Sequence, residues 1–169
     1  GEYEIVTGNQ IGSIMAYYIL SQMKEKVQLP KNGAIVKTIV TTNLQDDIAN
    51  YFGITVFNVL TGFKFIGKKI REFENDKSYK YIFGGEESYG YLTGTHARDK
   101  DAISATLMIA EIAAFLKNKN KTIVDYLEEI WSKFGYYNDE TVSKTIKGEK
   151  GIEIIAKIMD YFRTSKIDS

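Results

Sequence analysis

Gly84-Gly85-Glu86-Glu87-Ser88-Tyr89-Gly90 sets two carboxylates and a hydroxyl among glycines. Carboxylates accept hydrogen bonds from hydroxyl groups, and bonds to a charged partner are the stronger kind. Serine both donates and accepts. Glycine lets a ligand come close to the backbone. The combination suits a polyhydroxylated ligand. Thr61-Gly62 and Thr41-Thr42-Asn43 add hydroxyls and an amide. Farther on, His96-Ala97-Arg98-Asp99-Lys100-Asp101 offers Arg98 and Lys100 as cations that attract phosphate, with Asp99 and Asp101 limiting their excess charge. Each piece also has an ordinary alternative. Thr-Gly after a strand is commonly a turn, and paired glutamates are commonly solvated. A lone His is more often a surface or packing residue, and Asp99 and Asp101 would suit a helix N-terminus with Arg98 and Lys100 as partners.

Other machineries are missing from the sequence. There is no Cys and only one His, so neither a thiolate centre nor a Ser-His-Asp or Cys-His assembly with a spare partner can be built. No His or Cys cluster suggests zinc, and no Gly-x-x-x-x-Gly-Lys-Ser/Thr loop occurs. Lys plus Arg and Asp plus Glu balance at 22 each, so no net field favours nucleic acid or an anionic membrane. Hydrophobic residues at 44% and charged residues at 26% argue for a packed domain. No apolar run approaches a bilayer span. The lack of Cys fits a reducing compartment, and the cytoplasm is the expected location.

These groups need a scaffold, and the pattern predicts one. A helix is expected over residues 10–26 with Asn9 as its cap, its apolar face carrying Ile11, Ile14, Met15, Tyr18, Ile19 and Met23. Residues 34–41 are β-branched and apolar, as in a buried parallel strand. Asn43 is expected to cap a short helix over 44–52, closed by Gly53. A strand over 54–60, a helix over 63–73 and a strand over 79–83 follow. Residues 91–98 form either an antiparallel strand or an ordered loop. Helices over 101–117 and 123–134 come next, the second capped by Thr122 and closed by Gly135. Residues 141–147 read as extended, and 152–163 as an amphipathic helix beyond the break at Gly148 and Gly151. The expected fold is α/β: a mainly parallel sheet with helices on both faces, three layers, and one antiparallel edge strand. Ligands of such sheets bind outside the carboxyl ends of the strands, where the Thr41, Thr61 and Glu86 loops would emerge together.

Gly85-Glu86-Glu87-Ser88-Tyr89-Gly90 resembles the sugar-binding loop of the α-D-phosphohexomutase superfamily, in its phosphoglucomutase branch. Thr7-Gly8-Asn9-Gln10-Ile11-Gly12 is similar to the opening of that family's third domain. Thr61-Gly62-Phe63-Lys64-Phe65-Ile66-Gly67 resembles its second ligand-side loop. Arg98-Asp99-Lys100-Asp101-Ala102 resembles its Arg-(Asp/Glu)-Lys-Asp-Gly segment, with Ala102 in place of the usual Gly. The resemblance covers nearly the whole chain.

It implies a division of residues 1–147 as the sugar-binding third domain and 148–169 as a linker and possible start of the fourth. It also implies an enzyme that interconverts hexose 1-phosphate and hexose 6-phosphate through a phosphoserine and a bisphosphorylated sugar. Glu86 and Ser88 would bind adjacent hydroxyls, with Thr61, Gly62 and Arg98 on the substrate side. Gly85, Glu87 and His96 would support the loop, and Lys100 would stand near the transferring group as the candidate catalytic residue. Mg²⁺ and glucose 1,6-bisphosphate are implied for the whole enzyme. The phosphoserine loop and the aspartate metal loop match nothing in these residues, so no metal site and no turnover are expected from the chain alone. The expected partners are a hexose phosphate and the enzyme's other domains, not nucleic acid or membrane. Competing readings are phosphomannomutase or phosphopentomutase specificity, and a non-catalytic sugar-phosphate-binding or docking module. Glu86→Ala is expected to leave folding nearly intact, because a ligand-facing carboxylate contributes little to a core.

Overall fold

The computed structural model describes residues 3–140 and 145–165. They divide into two compact units, Gly1–Asp139 and Glu140–Ser169. The glycine break suggested a division at 147/148; compactness draws it at 139/140.

The first unit holds α1 (Gly8–Glu25), β1 (Gly33–Thr38), α2 (Leu44–Tyr51), β2 (Thr55–Val59), α3 (Phe63–Asp76), β3 (Lys80–Gly85), β4 (Tyr91–Thr93), α4 (Ala102–Lys117) and α5 (Ile123–Phe134). The sheet order is β2-β1-β3-β4. β1 pairs parallel with both β2 and β3, and β4 is an antiparallel edge on β3. The mainly parallel three-layer α/β/α fold is therefore present, edge strand included. β1 is buried along its whole length, as a central parallel strand covered on both faces requires.

Alternation along the strands feeds two cores. Ile35 joins Ile14, Leu20, Ile48, Ile112 and Ile130 beneath α1, α2, α4 and α5. Ala34 and Val36 join Ile66, Ile70 and Phe73 beneath α3. In β3, Tyr81 faces the α3 side, whereas Ile82 and Phe83 both face the other core. A shift of register between the pairs Ala34–Tyr81 and Ile35–Phe83 explains it, since a bulge puts an extra residue between two paired positions.

Two capping expectations are corrected. α1 is capped by Thr7, not Asn9: the Thr7 hydroxyl accepts from the Gln10 N–H, and the Gln10 side chain accepts from the Thr7 N–H. This reciprocal box satisfies two otherwise unpaired donors. Asn9 is freed for a long-range bond, accepting from the Thr42 N–H at 3.1 Å. Asn43 precedes α2 but makes no capping bond, because its backbone is already helical (φ −72°, ψ −10°) whereas a capping residue is typically extended. Gly53 (φ 71°) closes α2 in the left-handed region, as its residue type predicts.

The second unit contains α6 (Glu149–Thr164). It starts earlier than residue 152 and takes in Gly151, whose missing Cβ lets the helix pass the Ile146 carbonyl. Residues 141–144, within the stretch expected to be extended, lie outside the described residues.

Candidate functional site

The parallel strands deliver three exits to one edge of the sheet, and side chains tie them together. Glu86, immediately after β3, is only 7% exposed. Its Oε1 accepts from the Gly62 N–H at 2.8 Å, bridging the β3 and β2 exits. Gly62 has φ 118°, a left-handed value that favours glycine, and it stands at the N-terminus of α3. The Glu86 carboxylate thus meets the positive end of a helix, where an acid is favoured. Glu87 reaches the β1 exit: its Oε2 accepts from the Thr38 hydroxyl at 3.3 Å, and Thr38 and Thr41 share a bond of 2.8 Å.

The 86–90 turn is closed by the Glu86 N–H donating to the Gly90 carbonyl at 2.8 Å. Gly85 lies against the Tyr91 ring, where a Cβ would sit 2.7 Å from Cδ1. Tyr89 takes φ 63°, an uncommon conformation for a bulky residue. Ser88 and Thr61 are exposed at this edge.

Beneath the turn runs the start of α1. Tyr91 donates through its hydroxyl to the Gly8 carbonyl at 2.6 Å, and Tyr89 to the Val6 carbonyl at 3.2 Å. A Cβ on Gly8 would collide with the Glu87 carbonyl, so glycine there admits the loop. Burial pushes the Tyr91 hydroxyl far above its ordinary pKa, which keeps it a neutral donor.

On the other flank, the Lys100 stem lies against Gly90, with Cδ 3.0 Å from where a Cβ would stand. Glu86 Oε2 is 3.4 Å from the same point, so Lys100 and Glu86 face one small space. The Lys100 ammonium lies 3.2 Å from Asp99 Oδ1 and 5.9 Å from the Phe63 ring centre. The Lys100 N–H and then its side chain hold the Asp99 carboxyl below its ordinary value.

Arg98 does not stand open beside Lys100. Its guanidinium donates to both Glu74 oxygens at 2.6 Å and to the carbonyls of Thr95 and Ala97. Its Nη1 group ties together its own segment and its Nη2 group ties that segment to α3, which Gly67 lets approach the Arg98 carbonyl. His96 bonds Asp101 at 2.9 Å. Asp101 caps α4 through the N–H groups of Ile103 and Ser104. The His96 bond, with the Ser104 bonds next, holds the Asp101 carboxyl down at about 2.

The structure thus gathers Glu86, Gly62, Glu87, Ser88, Thr61 and Lys100 around one sheet edge. Sequence reasoning missed Thr38, Gly8 and Lys37. Lys37 is 1% exposed, with its ammonium 2.8 Å from Asp46 Oδ2 and donating to the Thr41 carbonyl. A lysine in an otherwise buried β-branched run was the available signal. Gly8 stood in the Thr7–Gly12 segment that carries part of the family resemblance, but nothing in the sequence set it against the Glu87 carbonyl. Among the described residues, no group of three or more His, Asp or Glu side chains could hold a metal ion. No described helix is long and apolar enough to cross a membrane.

Residues 7–134 match the family profile of the phosphoglucomutase/phosphomannomutase α/β/α domain III. The chain belongs to the phosphoglucomutase/phosphomannomutase family. That match runs from the cap of α1 to the end of α5, so every loop of the site lies in domain III. The phosphoglucomutase of Staphylococcus haemolyticus is 38% identical over 92% of this chain, and that of Staphylococcus epidermidis (strain RP62A) is 37% identical over 97%. The chain spans only 27% and 29% of those phosphoglucomutases. Among solved structures, the Paramecium phosphoglucomutase pp63/parafusin in its open form aligns with a TM-score of 0.59 at 29% identity, covering 78% of this chain and 22% of that one. A phosphomannomutase structure from Thermus thermophilus gives 0.60 at 23% identity over 76% of this chain and 26% of that one, a likeness of fold.

Proposed function

We propose that this domain III holds the sugar of a hexose phosphate within a larger phosphoglucomutase-type enzyme. The observation that carries the reading is the Glu86–Gly62 bond. It binds the β3 exit to the β2 exit and leaves Ser88 and Thr61 exposed beside it. Glu86 Oε1 is occupied by Gly62, so Oε2 is the oxygen offered to a sugar hydroxyl. Ser88 donates to or accepts from the neighbouring hydroxyl. Glu87, bonded to Thr38, supports the loop from behind. Lys100 supplies a positive charge beside this edge, the setting of a cation that draws a phosphoryl group toward the carbohydrate. Arg98 and His96 position that segment through Glu74 and Asp101 rather than gripping phosphate.

In this reading the parent enzyme interconverts hexose 1-phosphate and hexose 6-phosphate. Phosphoryl transfer of this kind rests on positioning and charge neutralisation, and domain III supplies the positioning of the sugar. The phosphoryl-carrying serine and Mg²⁺ belong to other parts of the enzyme, and the chain alone turns nothing over. Its binding is correspondingly weak, in the millimolar range, about −4 kcal/mol.

An NMR titration of the 169-residue chain with glucose 1-phosphate tests this. Amides of residues 61–62 and 86–88 shift first, and Ser88→Ala weakens the effect. Mannose 1-phosphate and ribose 1-phosphate, run in parallel, rank the sugar. Shifts clustered away from these loops would refute the assignment.

A further inference from the structure

The charges of α3 are arranged against the helix that carries them. From Phe63 to Arg71 every charged residue is a cation: Lys64, Lys68, Lys69 and Arg71. From Glu72 to Asp76 every one is an acid: Glu72, Glu74 and Asp76. A helix macrodipole favours the opposite order, with acids near the N-terminus and cations near the C-terminus. Lys64 and Lys68 are also like charges at i, i+4, a spacing that opposes the helix. A local rule broken without local compensation is expected where a residue serves function. Lys64, Lys68 and Arg71 share one face of α3. With Gly67 and Arg98 they line an open hollow of about 300 Å³. All three are exposed, and among the described residues none of them makes an ion pair. The neighbouring acids are engaged: Glu72 by Lys69 at 2.7 Å and Glu74 by Arg98 at 2.6 Å. Glu86 meets the end of α3 at Gly62 but does not line the hollow.

We propose that this hollow is an anion site separate from the sheet exits, and that it takes a small molecule carrying two phosphate groups on a carbon frame. Arginine presents a planar fork to phosphate, and lysine a mobile point charge. Bonds from such cations to phosphate oxygens are of the strong, charge-assisted kind. From Lys64 to Arg71 the helix rises about 10 Å, which suits two phosphates held apart better than one. The volume lies at the lower end for small-molecule sites, so the carbon frame is short. A nucleic acid is disfavoured, because the cations give way to Glu72, Glu74 and Asp76 where a long polyanion would continue along the helix. The inference goes beyond the sugar reading and does not depend on it.

The probes are pentane-1,5-diyl bisphosphate and pentyl phosphate, which lack the hydroxyls that the sugar loops recognise. Each is titrated into the 169-residue chain at constant ionic strength and followed by NMR. The bisphosphate shifts amides of residues 64–71 and saturates, with an affinity about tenfold or more above that of the monophosphate. The variant Lys68→Gln/Arg71→Gln loses about tenfold in affinity for the bisphosphate and melts no lower than the parent, since the two cations oppose the helix. Shifts at 64–71 that never saturate, or that are equal for the two probes, mean a diffuse basic surface and overturn the proposal. Shifts centred on residues 86–88 instead would also overturn it, as would a lowered Tm of the variant, which would make the cations part of the fold. Glucose 1-phosphate shifts at 86–88 in the same variant separate the two sites: they persist whether or not the α3 hollow binds.

Discussion

Glu86→Ala separates a carboxylate that waits for ligand from one that also builds the loop. An exposed ligand-facing acid would contribute little to folding, and the sequence suggested that outcome. Glu86 is instead 7% exposed, with Oε1 bonded to the Gly62 N–H at 2.8 Å. A hydrogen bond to a charged group contributes about 1.5–3 kcal/mol. Gly62 is half-buried, so water replaces part of that bond, and a loss of about 2 kcal/mol is expected. In a domain of 150–250 residues each kcal/mol lowers Tm by about 2–4 °C, so Glu86→Ala should lower it by about 4–8 °C. Glu86→Gln keeps an acceptor but not its charge and should lose roughly half as much. Ser88→Ala, at an exposed position, should stay within about 0.5 kcal/mol of the parent chain. Calorimetry of the 169-residue chain and its variants without ligand reads all three. If Glu86→Ala melts within a degree of the parent, or Ser88→Ala loses more than Glu86→Ala does, Glu86 does not anchor the Gly62 turn.

Gly8→Ala pushes a methyl group into the Glu87 carbonyl; it should cost about 1–3 kcal/mol as overpacking, and amide shifts at residues 87–90 should accompany the drop in Tm. Lys37→Ala strands Asp46, which is about a quarter exposed, so the cost should fall near the lower end for a broken buried pair, ~3 kcal/mol. The double variant Lys37→Ala/Asp46→Ala should lose less than the sum of the singles in urea unfolding, and additivity would dismiss the pair. Asp101 has its carboxyl depressed from 3.8 to about 2, chiefly by His96. Its stabilising contribution is complete above the unfolded value of 3.8 and disappears as pH falls through about 2. Asp101→Asn should therefore flatten the loss of stability between pH 4 and pH 2, measured by urea unfolding across that range.

Gly53 and Gly62 sit where the backbone has positive φ, and residue type alone foretold a turn at each. The parallel strands were legible because β-branched runs alternated with helical periodicity. Once they are parallel, their exits must share an edge, so the sequence itself determined that Thr61, Glu86 and Ser88 would lie on one side. Helix caps were less legible. Thr7 and Asn9 are both good capping residues, and the choice between them turned on Asn9 being drawn to the Thr42 N–H across the sheet edge. Tertiary structure alone decided which groups are spent on the fold and which stay free. Glu86 and Gly62 are 24 residues apart, Arg98 and Glu74 also 24, and Tyr91 and Gly8 83. Local periodicity reports the nearest turns and alternate strand positions. Contacts at those separations exist only after the crossovers have closed, and they made Glu86 an anchor and turned Arg98 toward α3.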